Sequence, residues 1–124
     1  MLTRFVITAG FVLGMAAPAL ADASACNEPY PPAAVDGSAA TEAQMKAAHD
    51  DVMNFIRDSD TYQDCLNADY QAQEREAKKQ KDAKPLDPSI RADVDARIHK
   101  NQAEKEKVGN EFNAAVQSYK AKHP

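Results

Sequence analysis

The chain has 124 residues and no tryptophan, with four phenylalanines and four tyrosines, so it can build one small domain around a thin aromatic core. Its formal net charge is −4 at pH 7. This acidity argues against nucleic acid as a partner, because phosphate binding depends on clustered lysine and arginine side chains.

The first segment, residues 1–21, has the pattern of a secretory signal peptide. It contains the cationic Arg4, then the apolar run Phe5–Met15, and it ends with the small-residue site Ala19–Ala21. The apolar run is too short to span a bilayer, which takes roughly 20 apolar residues. The sequence therefore predicts a periplasmic or secreted protein with no membrane span.

Two features of the exported chain stay open at this stage. Cleavage after Ala21 is favoured, but residues 23–25 form a second site that would place cleavage after Ala25. Because Cys26 follows that second site, it is either the acylated cysteine of a lipoprotein or one half of a disulfide bond. Two cysteines in an exported chain allow one intramolecular pair, Cys26 with Cys65, and this pairing is the favoured prediction.

Residues 22–40 are typical of an extended arm, because they contain three prolines, which favour polyproline geometry. From Cys26 to Gly37 such an arm spans roughly 34 Å, at about 3.1 Å per residue. A helix from Thr41 to Cys65 rises roughly 36 Å. The matched lengths predict that the arm lies antiparallel along the first helix and ends at the disulfide.

The first helix is predicted over residues 41–82. Thr41 and Gln44 form a capping box, in which each side chain accepts a hydrogen bond from the backbone of the other residue. One helix face then follows steps of three and four, and six of its seven positions are apolar or aromatic: Met45, Ala48, Val52, Phe55, Ser59, Tyr62 and Leu66. After Leu66 this apolar pattern ends, and the helix is predicted to continue to residue 82 only because its residues have high helix propensity.

The second helix is predicted over residues 88–121, after a loop at 83–87. Asp87 is a suitable N-cap, and Pro88 fits the first helical position. The buried face contains Ile90, Val94, Ile98, Asn101, Lys105, Val108, Phe112, Ala115 and Tyr119. Because the loop is short, the helices are antiparallel neighbours. The predicted fold is all-α: a coiled-coil-like hairpin of residues 41–124 with the proline-rich arm packed along its first helix.

The register of the hairpin is predicted from a chain reversal at about residue 85. This reversal places Phe112 near Ser59, Val116 near Phe55 and Tyr119 near Val52. It leaves the apolar residues Ile90, Val94 and Ile98 opposite Gln73, Ala77 and Lys81. We expect these three residues to form a surface for a protein partner or for self-association. In the alternative interpretation, the alkyl stems of lysine and glutamine cover them.

Two stretches, SDTYQDC at 59–65 and NQAEKEKVGNEFNAAVQSYK at 101–120, resemble a group of small exported bacterial proteins. Members of this group share an early cysteine, a proline-rich arm and two long helices, and they have no known activity. The resemblance covers most of the chain after residue 21. It implies the same fold, and it identifies no catalytic or binding residue.

One pattern suggests metal chemistry. Met45, His49 and Met53 recur every four residues, and thioether and imidazole ligands suit Cu(I). The alternative is that Met45 belongs to the core, Met53 is a partly buried flank and His49 is a surface residue. The charge run at 74–84 is expected to be a solvated helix face, with a contact surface for an acidic partner as the alternative.

The favoured function is therefore a non-enzymatic binding or structural protein that acts through its hairpin. No enzyme activity and no cofactor are expected, because a two-helix hairpin offers little concavity for convergent catalytic groups. The alternative function is a copper or envelope-stress accessory protein that uses the helix face of Met45, His49 and Met53.

Overall fold

The computed structural model describes residues 26–124, which form an extended arm followed by two α-helices. Helix α1 spans Glu42–Lys79 and helix α2 spans Pro88–Lys122. They pack against each other as an antiparallel pair, so the predicted all-α hairpin is confirmed. The predicted signal peptide and its two alternative cleavage sites lie outside the described residues.

Local sequence signals determine where the helices begin. The backbone N–H of Thr41 donates to Gln44 Oε1 at 2.8 Å, and the N–H of Gln44 donates to Thr41 Oγ1 at 3.2 Å, which completes the predicted capping box. Asp87 caps α2 by accepting from the N–H of Ser89 at 2.8 Å, with Pro88 in the first turn. Both helices therefore start where side chains satisfy backbone donors that have no partner within the helix.

The core is a narrow seam along the hairpin, made of three small clusters of buried residues. The cluster nearest the loop contains Cys26, Tyr62, Leu66 and Val94, the middle cluster contains Val52, Phe55 and Val108, and the cluster nearest the chain termini contains Ala40, Met45 and Ala115. Six of the seven predicted face positions of α1 are buried, and Ala48 is half-buried. The three–four periodicity of α1 thus identified its buried face.

The predicted register is wrong by about three helical turns of α2. Asn101, rather than Phe112, lies opposite Ser59, and its Nδ2 donates to Ser59 Oγ at 3.1 Å. Val108, rather than Val116, packs in the cluster that contains Phe55. The reversal occurs close to the end of α1, near residue 80, and not at residue 85.

The physical reason for the shift is the return path of the connecting segment. Helix α1 continues past the start of α2, and the chain runs back beside its last turns. Residues 83–86 line the same cleft as Tyr70, Glu74, Ala77 and Lys78 of α1. The connecting segment therefore covers the last turns of α1. As a result, the start of α2 faces residues that lie earlier in α1 than those it would face after a tight loop.

This register corrects the interpretation of Ile90, Val94 and Ile98 as a poorly covered stripe. Val94 is only 6% exposed and packs with Tyr62 and Leu66. Ile98 packs against the same cluster, and Ile90 is half-buried. The shift brings the large side chains of α1 opposite these residues in place of Gln73, Ala77 and Lys81, which removes the reason for proposing a partner surface there.

A buried polar layer interrupts the apolar seam. Ser59 and Asn101 are fully buried, and Asn101 Oδ1 accepts from Gln63 Nε2 at 2.9 Å while its Nδ2 donates to Ser59. Sliding α2 by one turn would bury the Asn101 amide against apolar side chains without these partners, at the full cost of desolvation. The layer therefore favours one register, as polar seam residues do in coiled coils.

The arm is joined to α1 by the predicted disulfide between Cys26 and Cys65, which are 39 residues apart. The thiol of Cys26 is thereby used in this bond. From there the arm crosses toward α2, where the Glu28 carboxylate accepts from Lys100 Nζ at 2.8 Å. This contact raises the pKa of Lys100, first through the hydrogen bond and then through the charge of Glu28.

Further along, the arm packs closely over both helices. Residues 32–35 and the side chains of Val52, Val108 and Phe112 enclose a cavity of only about 10 Å³, room for one water molecule at most. The arm ends in a turn in which the Asp36 carbonyl accepts from the N–H groups of Ala39 and Ala40. One side of the hairpin is thus covered by the arm.

Gly37 lies close against the backbone of α2. A Cβ at this position would lie 1.8 Å from the carbonyl oxygen of Ala115, which belongs to helix backbone and cannot rotate away. We expect Gly37→Ala to lower the free energy of unfolding by about 1–3 kcal/mol, as overpacking does. Urea denaturation followed by circular dichroism measures this change.

Gly109 provides the matched control. It lies inside α2, and a Cβ there would meet no atom within 4 Å. Gly109→Ala should therefore raise the free energy of unfolding by about 0.5–1 kcal/mol through helix propensity. If both substitutions shift the urea midpoint in the same direction and by a similar amount, the described contact between the arm and α2 is incorrect.

Candidate binding groove

An open groove lies between the first turns of α1 and the last turns of α2. Its lining comes from Glu42, Met45, Lys46, His49 and Asp50 of α1, and from Phe112, Val116, Tyr119 and Lys120 of α2. None of the lining residues belongs to the arm, so the groove is on a side of the hairpin that the arm leaves uncovered. The groove has a volume of about 490 Å³, and its lining atoms are mainly apolar. This volume can accommodate one or two large side chains of a partner.

The floor of the groove is aromatic and apolar. Phe112, Val116 and Tyr119 are half-buried, and they pack against the core cluster nearest the termini. The ring of His49 lies over one end of this floor, with its centroid 5.9 Å from that of Phe112. At the other end the ring of Tyr119 stacks on His123 at 4.2 Å. These ring contacts favour the observed orientations of Phe112 and Tyr119.

The rim of the groove is charged and solvated. Lys46 Nζ donates to Glu42 Oε1 at 2.7 Å, and this hydrogen bond, together with the opposite charge, lowers the pKa of Glu42 and raises that of Lys46. Asp50 accepts from His49 Nδ1 at 3.3 Å when that nitrogen carries the proton. Exposed pairs of this kind add little stability. They can exchange partners, so the rim offers donors and acceptors around an apolar floor.

The three residues of the candidate copper site occupy different environments. Met45 is buried in the core, His49 is exposed at the groove, and Met53 is 52% exposed and does not line the groove. Residues four apart on a helix are rotated by about 40°, which separates the first and third side chains of such a line. Met45 and His49 therefore line the groove together, while Met53 lies outside it. Within residues 26–124, His, Cys, Asp and Glu form no group of three that could hold a metal ion.

Sequence reasoning missed the groove because the predicted register assigned its floor to the hairpin seam. Val116 and Tyr119 were expected to pack against Phe55 and Val52, and both instead flank Ala115, which is the buried residue of that turn. The signal was present in the sequence. Phe112, Val116 and Tyr119 make the apolar stripe of α2 wider near its end than a two-helix seam requires.

Comparisons with known proteins give no match: no family model fits the chain, and neither the curated proteins nor the solved structures contain a match to it. Neither α1 nor α2 has a stretch long and apolar enough to cross a membrane. The intramolecular disulfide fits an oxidising compartment, where such bonds persist. The function must therefore be argued from the surface of the hairpin itself.

Proposed function

We propose that this chain is an exported, non-enzymatic binding protein of the periplasm or the extracellular medium, and that its hairpin holds a partner protein in the groove near the chain termini. The leader pattern of residues 1–21 and the disulfide Cys26–Cys65 support export. A rigid hairpin braced by a covalently attached arm is suited to present a fixed surface, because little order is lost when a partner binds.

The observation that carries this proposal is the uncovered apolar floor of Phe112, Val116 and Tyr119. The arm covers a neighbouring part of the seam and leaves a cavity of only about 10 Å³ there, whereas no arm residue lines the groove, and this contrast supports the proposal. Grooves between two helices commonly receive the apolar face of an amphipathic helix. The partner segment we propose is therefore an amphipathic helix, with apolar residues on the floor and polar residues at the charged rim.

Site-specific photo-crosslinking tests this proposal. A photoreactive phenylalanine analogue replaces Tyr119 in the groove, and the matched control carries it at Asn113, an exposed position of α2 that does not line the groove. We expect adducts from position 119 in the native envelope or medium, and a crosslinked peptide whose apolar residues follow helical spacing. Equal adducts from both positions, or none from position 119, would contradict the proposal.

A charge introduced into the groove supplies the second half of this test. Val116→Glu should abolish the adducts at position 119, because a carboxylate on the apolar floor cannot be desolvated without a partner. Asn113→Glu adds the same charge outside the groove and should leave them intact. Circular dichroism of both variants confirms that the helices are retained. An adduct with a second copy of the chain would identify the bound segment as part of the protein itself and the function as self-association.

A further inference from the structure

The loop end of the hairpin carries a concentration of positive charge that contrasts with the rest of the protein. Residues 78–84 contain four lysines and one aspartate, whereas the remaining described residues contain ten lysines and arginines and seventeen acidic residues. All seven residues of this stretch are exposed. We call Lys78, Lys79, Lys81 and Lys84 the basic tip. The molecule is thus a negatively charged hairpin with a positively charged end.

Most of this charge has no ion-pair partner in the part of the chain that the structure describes. Lys79 pairs with Glu76 at 2.7 Å, which lowers the pKa of Glu76. Across residues 26–124, no carboxylate lies within ion-pair distance of Lys78, Lys81 or Lys84. The helix C-terminus beneath them carries partial negative charge that accounts for one or two cations in its last turn. It does not account for the two lysines that follow in the loop.

A cleft lies directly beside the basic tip. It encloses about 320 Å³ between the last turns of α1 and the returning segment 83–86, and its apolar lining includes Tyr70, Ala77 and Leu86. Lys78 and Lys84 both line the cleft, together with one carboxylate, Glu74, which accepts a hydrogen bond from Tyr70 Oη at 3.4 Å. The cleft exists because α1 continues past the start of α2, so it is a direct product of the hairpin register.

We propose that the basic tip binds an extended acidic peptide segment of a partner protein. Carboxylates of that segment pair with Lys78 and Lys84, and one apolar side chain enters the cleft against Leu86. The positive charge of the tip complements such a segment, while the acidic body of the hairpin repels other placements of it. This contact is independent of the groove near the termini, which lies at the opposite end of the helices.

The form of the tip favours a peptide over an anionic membrane surface. Basic clusters attract anionic bilayers, but firm binding at the interface commonly adds protruding apolar side chains that enter the lipid. Here Tyr70 and Leu86 are half-buried and recessed in the cleft, and the outermost residues are charged or small. A recessed apolar site flanked by cations fits a chain that lies along it, and it cannot insert into lipid.

Fluorescence anisotropy with a defined probe tests the proposal. The probe is a labelled peptide of eight glutamates with one central leucine, and the matched peptide has glutamine in place of every glutamate. We expect the acidic peptide alone to bind, with an affinity that falls as salt is raised to about 0.5 M. Lys78→Glu together with Lys84→Glu should weaken binding by at least about tenfold, since each change replaces an attraction by a repulsion.

Three controls make the outcome decisive. Lys107→Glu with Lys122→Glu changes the net charge equally at sites far from the tip, and should alter the affinity by less than about twofold. Lys81→Glu with Lys84→Glu changes only loop residues, so its loss of binding cannot arise from an unfolded α1. Leu86→Ala should weaken the leucine-containing peptide but not an all-glutamate one. Equal losses in the distal and tip variants, absence of binding, or binding only to phosphatidylglycerol vesicles would each overturn the proposal.

Discussion

Replacing Cys26 and Cys65 together by alanine is expected to lower the free energy of unfolding by about 3–4 kcal/mol. The bond joins positions 39 residues apart, and closing a loop of this length restricts the unfolded chain strongly. The disulfide also holds the buried end of the arm against Tyr62 and Leu66. Urea unfolding of the oxidised protein and of the double variant, followed by circular dichroism, measures the difference.

The loss should be accompanied by release of the arm. No backbone hydrogen bond joins residues 26–35 to either helix, and Glu28 with Lys100 is the side-chain bond that ties this stretch to α2. Limited proteolysis should therefore cut the double variant within residues 27–35 much faster than the oxidised protein. Dithiothreitol should reproduce both effects in the original sequence and change nothing in the variant. An unchanged urea midpoint would mean that the packing of the arm is sufficient without the bond.

Phe55→Ala should destabilise the protein by about 3–4 kcal/mol, the cost of removing a large buried aromatic side chain. Phe55 is 4% exposed and packs in the middle cluster with Val52 and Val108. In so thin a core, few neighbouring side chains can move to fill the cavity. Urea denaturation of the oxidised protein measures the loss, since the disulfide then keeps the unfolded state comparable between variants.

Two comparisons locate this effect in the core. Phe112→Ala should cost less, about 1–2 kcal/mol, because Phe112 is half-buried and one side of its ring faces the groove. Asn54→Ala, at the exposed position next to Phe55, should change stability by less than about 0.5 kcal/mol. Similar losses for Phe55 and Phe112 would show that the groove is closed in solution, and so would also argue against the proposed function.

The features that could be predicted from the sequence are those with short-range causes. The helix starts follow from Thr41 and Asp87, whose side chains cap the residues directly after them. The buried face of α1 follows from periodicity, because every apolar position adds to the same stripe. The disulfide could be predicted from the number of cysteines, since two cysteines in an oxidising compartment allow one intramolecular pair.

The register could not be predicted by the same means. Both seams repeat in steps of three and four, so several alignments of α2 on α1 place apolar residues together equally well. The choice depends on two non-local features: the path of residues 80–87 beside the end of α1, and the bonds among Ser59, Gln63 and Asn101. The sequence places Asn101 on the buried face of α2, but nothing in it identifies Ser59 as its partner.

The groove was missed for the same reason, because a surface between two elements is defined only when their alignment is known. Once Ala115 is the buried residue of its turn, its larger neighbours Val116 and Tyr119 must lie at the edge of the seam. The copper candidate illustrates a related point. A four-residue spacing places side chains near one another on a helix, but burial decides which of them face solvent, and Met45 and Met53 differ in that respect.

The position of the disulfide along the chain has a consequence for the order of assembly. Both Cys26 and Cys65 precede α2, so a chain that emerges with its N terminus first can close the bond while α2 is still being delivered. The arm and α1 then form a covalently closed ring with an apolar inner edge. Helix α2 can then dock onto a ring in which part of the entropy of ordering the arm has already been lost.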